Sequence, residues 1–170
     1  MGWGGYMKKC LIVVDYQNDF IDGSLGFEEA ILIQPKIIEK ITQYRQNHND
    51  IIFTKDTHDK AYLDTEEGRH LPIDHCIKGT EGHAIEAKVN AMISSSDLVI
   101  EKHTFPSLEL GIYLREKDYQ IVELCGLVSH ICVLSNALIA KAALPNAHIV
   151  VDALATASYN RIMHDNSLKI

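Results

Sequence analysis

Short β-branched apolar runs recur along this chain, each followed by a segment of helical spacing, and that alternation leaves few folds open. Lys9–Asp15, Asp50–Lys55, Leu98–Glu101, Gln120–Cys125 and His148–Val151 are too short for core helices and read as strands. Repeated strand–helix units predict an α/β protein with a Rossmann-like, doubly wound parallel sheet and helices on both faces. Open sheets of this kind bind ligands just past the carboxyl ends of their strands. Three of the runs carry a reactive side chain at or beyond that end: Asp15, Lys102 and Cys132. An acid, a base and a thiol far apart in sequence therefore converge on one crevice. That is the composition of a cysteine-nucleophile site, because a thiol needs a proton acceptor and a positive field to react as thiolate at neutral pH.

The intervening segments fit the same plan. Pro35 opens a helix with Ile37, Ile38, Ile41 and Tyr44 at core spacing. A short helix is expected over Ala84–Met92, and Ser107 is placed to cap one over Leu108–Lys117. Gly126–Ile131 reads as a tight turn into an apolar helix, Cys132–Ala143, and Asn160–Ile170 opens another helix. The stretch from Thr57 to Thr80 carries Gly, Pro, His and acids with little periodicity, and unpatterned loops of that length are usually functional.

The length of 170 residues fits one domain, expected over residues 8–170, behind a Gly-rich tail at 1–7. Met7 is the expected natural start, with the preceding residues a remnant or a frayed end. A net charge of -7 without a basic run argues against a nucleic-acid partner. No apolar stretch approaches the ~20 residues of a membrane span and no signal peptide is visible, so a cytoplasmic location is expected. The four cysteines include no C-x-x-C pair, and Cys10 and Cys125 sit inside strand patterns as buried thiols.

Cys132 follows the fourth strand and a sharp turn, where backbone N–H groups and a helix dipole would lower its pKa and could hold an oxyanion. Position alone favours a buried core cysteine. Asp15 and Lys102, charged at strand ends on the same crevice, favour catalysis. Asp56 and His58 stand two apart in an extended segment and share a face, so they can grip one cation. His75, and Glu67 on the same loop, could complete a set suited to zinc, manganese or iron(II), although by spacing alone these remain compatible with plain polar loop residues.

Val14-Asp15-Tyr16-Gln17-Asn18-Asp19-Phe20, Asp56-Thr57-His58, His75-Cys76-Ile77-Lys78-Gly79-Thr80, Glu101-Lys102 and Gly126-Leu127-Val128-Ser129-His130-Ile131-Cys132-Val133 together resemble the isochorismatase-like cysteine hydrolases. The nicotinamidase branch is the nearest, and the likeness runs in register from Lys8 to about Ala157. The resemblance implies a triad: Asp15 takes the thiol proton, Lys102 supports the thiolate and orients Asp15, and Cys132 attacks a carbonyl to form a thioester. It implies an oxyanion hole from the backbone N–H groups of Val128 and Cys132, and a cis peptide between Leu127 and Val128. It also assigns Asp56, His58 and His75 to a divalent metal, zinc first, with Glu67 ahead of Asp64 and Glu66 as the fourth ligand. In nicotinamidases that metal holds the pyridine nitrogen. Phe20 would be an aromatic wall for a flat ring, and Phe105 a second wall or a core residue.

Two features depart from the family, and a third motif, Lys78-Gly79-Thr80, follows it as a turn to which no chemistry is assigned. His130 stands where an acid is common, and the family's last strand is missing, which would leave a bare sheet edge. That edge and the apolar helix from Cys132 to Ala143 make a homo-oligomer the expected assembly. The leading expectation is hydrolysis of nicotinamide to nicotinate and ammonia. The alternatives are another small amide, such as a carbamoyl or ureido compound, or a catalytically idle binding module. A thiol redox role lacks a resolving cysteine near Cys132.

Overall fold

The computed structural model describes residues 7–170; the Met1–Tyr6 tail lies outside the described residues. Five parallel strands, β1 (Lys9–Val14), β2 (Asp50–Asp56), β3 (Leu98–Lys102), β4 (Ile121–Leu127) and β5 (His148–Ala157), form one sheet in the order β3-β2-β1-β4-β5. The chain runs outward from β1 to β3 and then returns to the other side of β1 as β4. The strand order thus reverses between β1 and β4, which is where such sheets open a crevice.

The pleat sorts each strand's side chains between two cores. Leu11 and Val13 join Phe53, Cys125 and Leu127 on one face, whereas Cys10, Ile12 and Val14 join Ile52, Val122 and Leu124 on the other. That two-sided burial explains why β1 is a continuous apolar run without alternation.

Among the described residues, the helices are α1 (Asn18–Ile21), α2 (Glu28–Leu32), α3 (Gln34–Gln46), α4 (Glu66–His70), α5 (Ala87–Asn90), α6 (Leu108–Arg115), α7 (Leu134–Ala143) and α8 (Arg161–Ser167). Pro35 sits in the first turn of α3, which buries Ile37, Ile41 and Tyr44 as its spacing predicts. Ser107 Oγ accepts from the Leu110 N–H at 3.1 Å and caps α6. None of these helices is long and apolar enough to cross a membrane.

Several boundaries differ from expectation for local reasons. The helix expected over Ala84–Met92 shrinks to α5, because Ile85 bridges Gln17 and the Glu86 carboxylate caps the Lys88 and Val89 N–H groups. β5 continues past Val151 to Ala157 through an irregular register opposite Leu124 and Gly126, where Asp152 accepts from the Leu154 N–H at 2.8 Å. The segment Thr57–Thr80 is not structureless: it holds a 3-10 turn (Tyr62–Asp64) and α4, capped by Thr65. Cys132 lies within a π-turn (Ser129–Val133) ahead of α7, not at the first turn of an α-helix.

Candidate active site

Asp15 directly follows β1 in the left-handed region, with φ of 45°. Its N–H donates to the Thr54 carbonyl at 3.2 Å, and the Thr54 hydroxyl donates to Asp15 Oδ1 at 2.7 Å. Lys102 ends β3 and reaches across the end of β2. Its Nζ lies 2.6 Å from Asp15 Oδ2, 3.3 Å from Asp56 Oδ1 and 3.6 Å from Cys132 Sγ, and donates to the Thr104 carbonyl at 3.1 Å. All four acid, base and thiol side chains are buried.

The turn that presents Cys132 is shaped by its backbone. Gly126 has φ of 107°, and a Cβ there would lie 2.1 Å from the Val14 carbonyl oxygen, so only glycine lets β4 pass this close to the end of β1. The Leu127–Val128 peptide is cis. The Val128 carbonyl accepts from the N–H groups of Ile131 and Val133, which curls the chain under the sulfur. Asn136, fully buried on α7, donates to the carbonyls of Cys132 at 2.8 Å and Phe105 at 2.9 Å and accepts from the Ser107 N–H at 2.9 Å.

The electrostatics differ from the sequence expectation at one point. Burial raises the Cys132 thiol well above its ordinary pKa, and the Lys102 charge only partly offsets this. The direction is thus opposite to the one expected from the turn and helix start. Burial likewise raises the Asp15 carboxyl, against the pull of Lys102, which makes it a better proton acceptor. Burial disfavours the Lys102 ammonium, but Asp15, Cys132 and Asp56 together keep its pKa well above the usual value.

Asp56, His58, Glu67 and His75 converge beside this group, each offering one ligand atom within 4.8 Å of the others. Asp56 Oδ2 is 3.0 Å from His58 Nε2 and 3.5 Å from His75 Nε2, and Glu67 Oε1 is 3.8 Å from both rings. A tetrahedron with ligand bonds of ~2.0–2.2 Å has edges of roughly 3.3–3.6 Å, so two imidazoles and two carboxylates at these separations fit one small divalent ion. His75 Nδ1 pairs with the Ile73 carbonyl at 2.8 Å, which leaves Nε2 facing the cluster. Burial opposes ionisation of Asp56, but His58, His75 and Lys102 hold its carboxyl well below the usual range. Asp64 and Glu66, the poorer fourth-ligand candidates, are not in the cluster.

A cavity of about 370 Å³ joins the two groups: Cys132, Val128 and Ile131 line one side, Asp56, Glu67 and His75 another, and Phe20, Phe105, Leu25, Leu71 and Tyr159 most of the rest. Phe20 and Phe105 thus both line it, and Phe105, 42% exposed, is not a core residue. Sequence reasoning missed Thr54, Gln17, Asn136 and Tyr159. Gln17 is fully buried; its Nε2 donates to the Asp56 carbonyl at 2.9 Å and its Oε1 accepts from the Asp56 N–H at 2.7 Å. A polar residue directly after a strand, flanked by Asp15 and Asp19, was the signal available for it.

Known proteins share the family and the fold. The family model for the isochorismatase domain matches residues 9–170. The crystal structure of a nicotinamidase from Bacillus subtilis superposes with a TM-score of 0.84 at 30% identity, covering 96% of this chain and 93% of that one. A pyrazinamidase from Pyrococcus horikoshii, solved in complex with zinc, gives 0.83 at 25% identity over 95% and 93% of the chains. An N-carbamoylsarcosine amidase from Thermoplasma acidophilum gives 0.82 at 29% identity over 96% and 92%. With its domain model matched over nearly the whole sequence, the chain belongs to the isochorismatase family.

Proposed function

We propose that this amide hydrolase acts on a small carboxamide, with nicotinamide to nicotinate plus ammonia as the leading reaction. The observation that carries the reading is that the Cys132 thiol and Asp56, Glu67 and His75 of the four-residue donor set face one cavity that Phe20 and Phe105 also line. A flat ring between those walls has its nitrogen at the donor set and its carboxamide at the sulfur.

In this reading Asp15 takes the thiol proton as Cys132 Sγ attacks the amide carbon. Lys102, 3.6 Å from the sulfur, offsets the charge of the forming thiolate. The backbone N–H groups of Val128 and Cys132 stabilise the tetrahedral oxyanion. Asp15 then returns its proton to the leaving ammonia, which yields a thioester on Cys132. Water, deprotonated by Asp15, attacks that thioester; the bond to sulfur breaks, Asp15 returns the proton to the leaving Cys132 sulfur, and the carboxylic acid departs and ionises. Asp56, His58, His75 and Glu67 would hold a divalent ion, zinc by donor type, whose contribution when bound is to orient and polarise the ring.

The test is ammonia release from nicotinamide by the metal-loaded protein beside a Cys132→Ala control. Turnover that the control abolishes is expected; turnover retained by the control would exclude the covalent route. The likeness to an N-carbamoylsarcosine amidase supports a second reading, a carbamoyl compound as substrate. Ammonia release from N-carbamoylsarcosine but not from nicotinamide would select it.

A further inference from the structure

Asp19 makes no contact with the cavity, yet its backbone and side chain tie three of the cavity's supports together. Its Oδ2 accepts from the Cys76 N–H at 2.7 Å, and its Oδ1 accepts from the Ser24 N–H at 3.3 Å. Its own N–H donates to the Gly82 carbonyl at 3.0 Å, and its carbonyl accepts from the Leu25 N–H at 2.8 Å. The carboxylate fits only because its neighbours lack side chains: a Cβ at Gly82 would lie 2.1 Å from Oδ2, and one at Gly23 2.4 Å from Oδ1.

Cys76 is the informative partner. It is fully buried and holds φ of 48°, a region that L-residues seldom adopt without support. It follows His75 directly, and its carbonyl accepts from the His58 N–H at 3.0 Å. One backbone unit thus connects both imidazoles of the donor set, and Asp19 holds that unit by its N–H. Phe20, the next residue after Asp19, packs its ring on the His75 ring at a centroid distance of 5.7 Å.

We propose that Asp19 is a positioning residue: through the Cys76 N–H it fixes His75, and with it the aromatic wall formed by Phe20, so that the donor set and the ring-binding face keep one geometry. This rests on the reading of His75 as a metal ligand.

The experiment compares Asp19→Ala, Asp19→Asn and Gly82→Ala with the wild type in zinc affinity, by chelator competition, and in hydrogen exchange at the Cys76 amide. Alkylation of Cys132 by iodoacetamide and steady-state kinetics on nicotinamide accompany them. Asp19→Ala is expected to weaken zinc binding by about 10–100-fold, the usual effect of losing a ligand's outer support, and to speed exchange at Cys76. KM should rise by more than kcat falls, with the alkylation rate of Cys132 unchanged. Asp19→Asn keeps an oxygen acceptor and should stay within a few-fold of wild type, whereas Gly82→Ala displaces the carboxylate and should follow Asp19→Ala.

Wild-type zinc affinity in Asp19→Ala, or an equal loss in Asp19→Asn, would overturn the proposal. So would a parallel fall in Cys132 alkylation, which marks a general loss of structure. Absence of zinc binding in the wild type would instead remove the metal reading; exchange at Cys76 then decides, and an unchanged rate in Asp19→Ala overturns the hold on the loop.

Discussion

Lys102 Nζ lies 2.6 Å from Asp15 Oδ2, and both side chains are almost wholly removed from solvent. The ammonium approaches that oxygen without a well-aligned hydrogen bond, whereas Oδ1 is satisfied by Thr54. Asp15 also lies close enough to the Cys132 thiol to affect its ionisation. Buried charges of this kind persist only in pairs, because an unpaired one costs several kcal/mol. The pairing also explains how a carboxylate can stand beside a thiol without repelling the thiolate: Lys102 serves both.

Replacing Asp15 by Asn keeps the shape and removes the base. Amidase turnover should fall by at least about 10²–10⁴-fold, the range spanned by a general base. An Asp15→Asn variant that kept wild-type turnover would remove Asp15 from the proton path.

Thr54 is tested through its hydroxyl. Thr54→Val keeps the volume but strips the donor to Asp15 Oδ1, leaving that buried oxygen without its 2.7 Å partner. Chemical denaturation should show a loss of about 1–3 kcal/mol. Kinetics should show a lower kcat with KM on the carboxamide little changed, since Thr54 does not line the cavity. A change confined to KM would contradict that role.

The parts of the site legible in the sequence were those that stand at strand ends. Asp15, Lys102 and Cys132 each follow an apolar run, and the topology of a parallel sheet brings such ends together whatever their spacing. The donor residues were visible as a D-x-H pair and a loop histidine, and the fold gathers them with Glu67. Thr54, Gln17 and Asn136 were not legible, because a buried polar residue within or beside an apolar run has no periodic signature and its partner is distant in sequence. Tyr159 was hidden for another reason: β5 passes through Asp152 in an irregular register, so the apolar pattern stops before the strand does. The thiol's pKa was not legible from the helix start, since burial, which raises it, depends on the packing around the π-turn.

The far end of the sheet offers a stability test. Arg45, in the last turn of α3, grips Asp97 with both guanidinium nitrogens at 2.6 Å, and Asp97 also accepts from the Ser94 N–H at 2.7 Å just before β3. Burial opposes the charge of Asp97, but Arg45 and Ser94 bring its pKa below the usual value. A carboxyl lowered in this way stabilises the fold at pH above its unfolded pKa of about 3.9 and loses that contribution as pH falls through the folded pKa. Asp97→Asn should therefore cost about 1–3 kcal/mol at pH 7, and the gap to wild type should close below about pH 4. Denaturation curves at several pH values decide it; a gap independent of pH would assign the loss to packing.

Tyr159 is predicted to set affinity for a flat ring. Its ring lines the cavity while 62% exposed, and it is held edge-on between Phe27 at 6.1 Å and His130 at 5.4 Å. His130 is in turn fixed by a 2.9 Å contact between its Nδ1 and the Ser158 hydroxyl. His130 thus supports the ring of Tyr159. Aromatic pairs contribute about 0.5–1.5 kcal/mol beyond their buried area, so Tyr159→Ala should raise KM for nicotinamide about 2–10-fold and leave kcat within about twofold. His130→Ala should produce a smaller rise in the same direction, since Phe27 still holds the ring. A small aliphatic amide has no ring to stack, and its kinetics should be unaffected by either change. Equal losses on both substrates, or a fall in kcat alone, would show that the ring steadies the Cys132 turn and does not face the substrate.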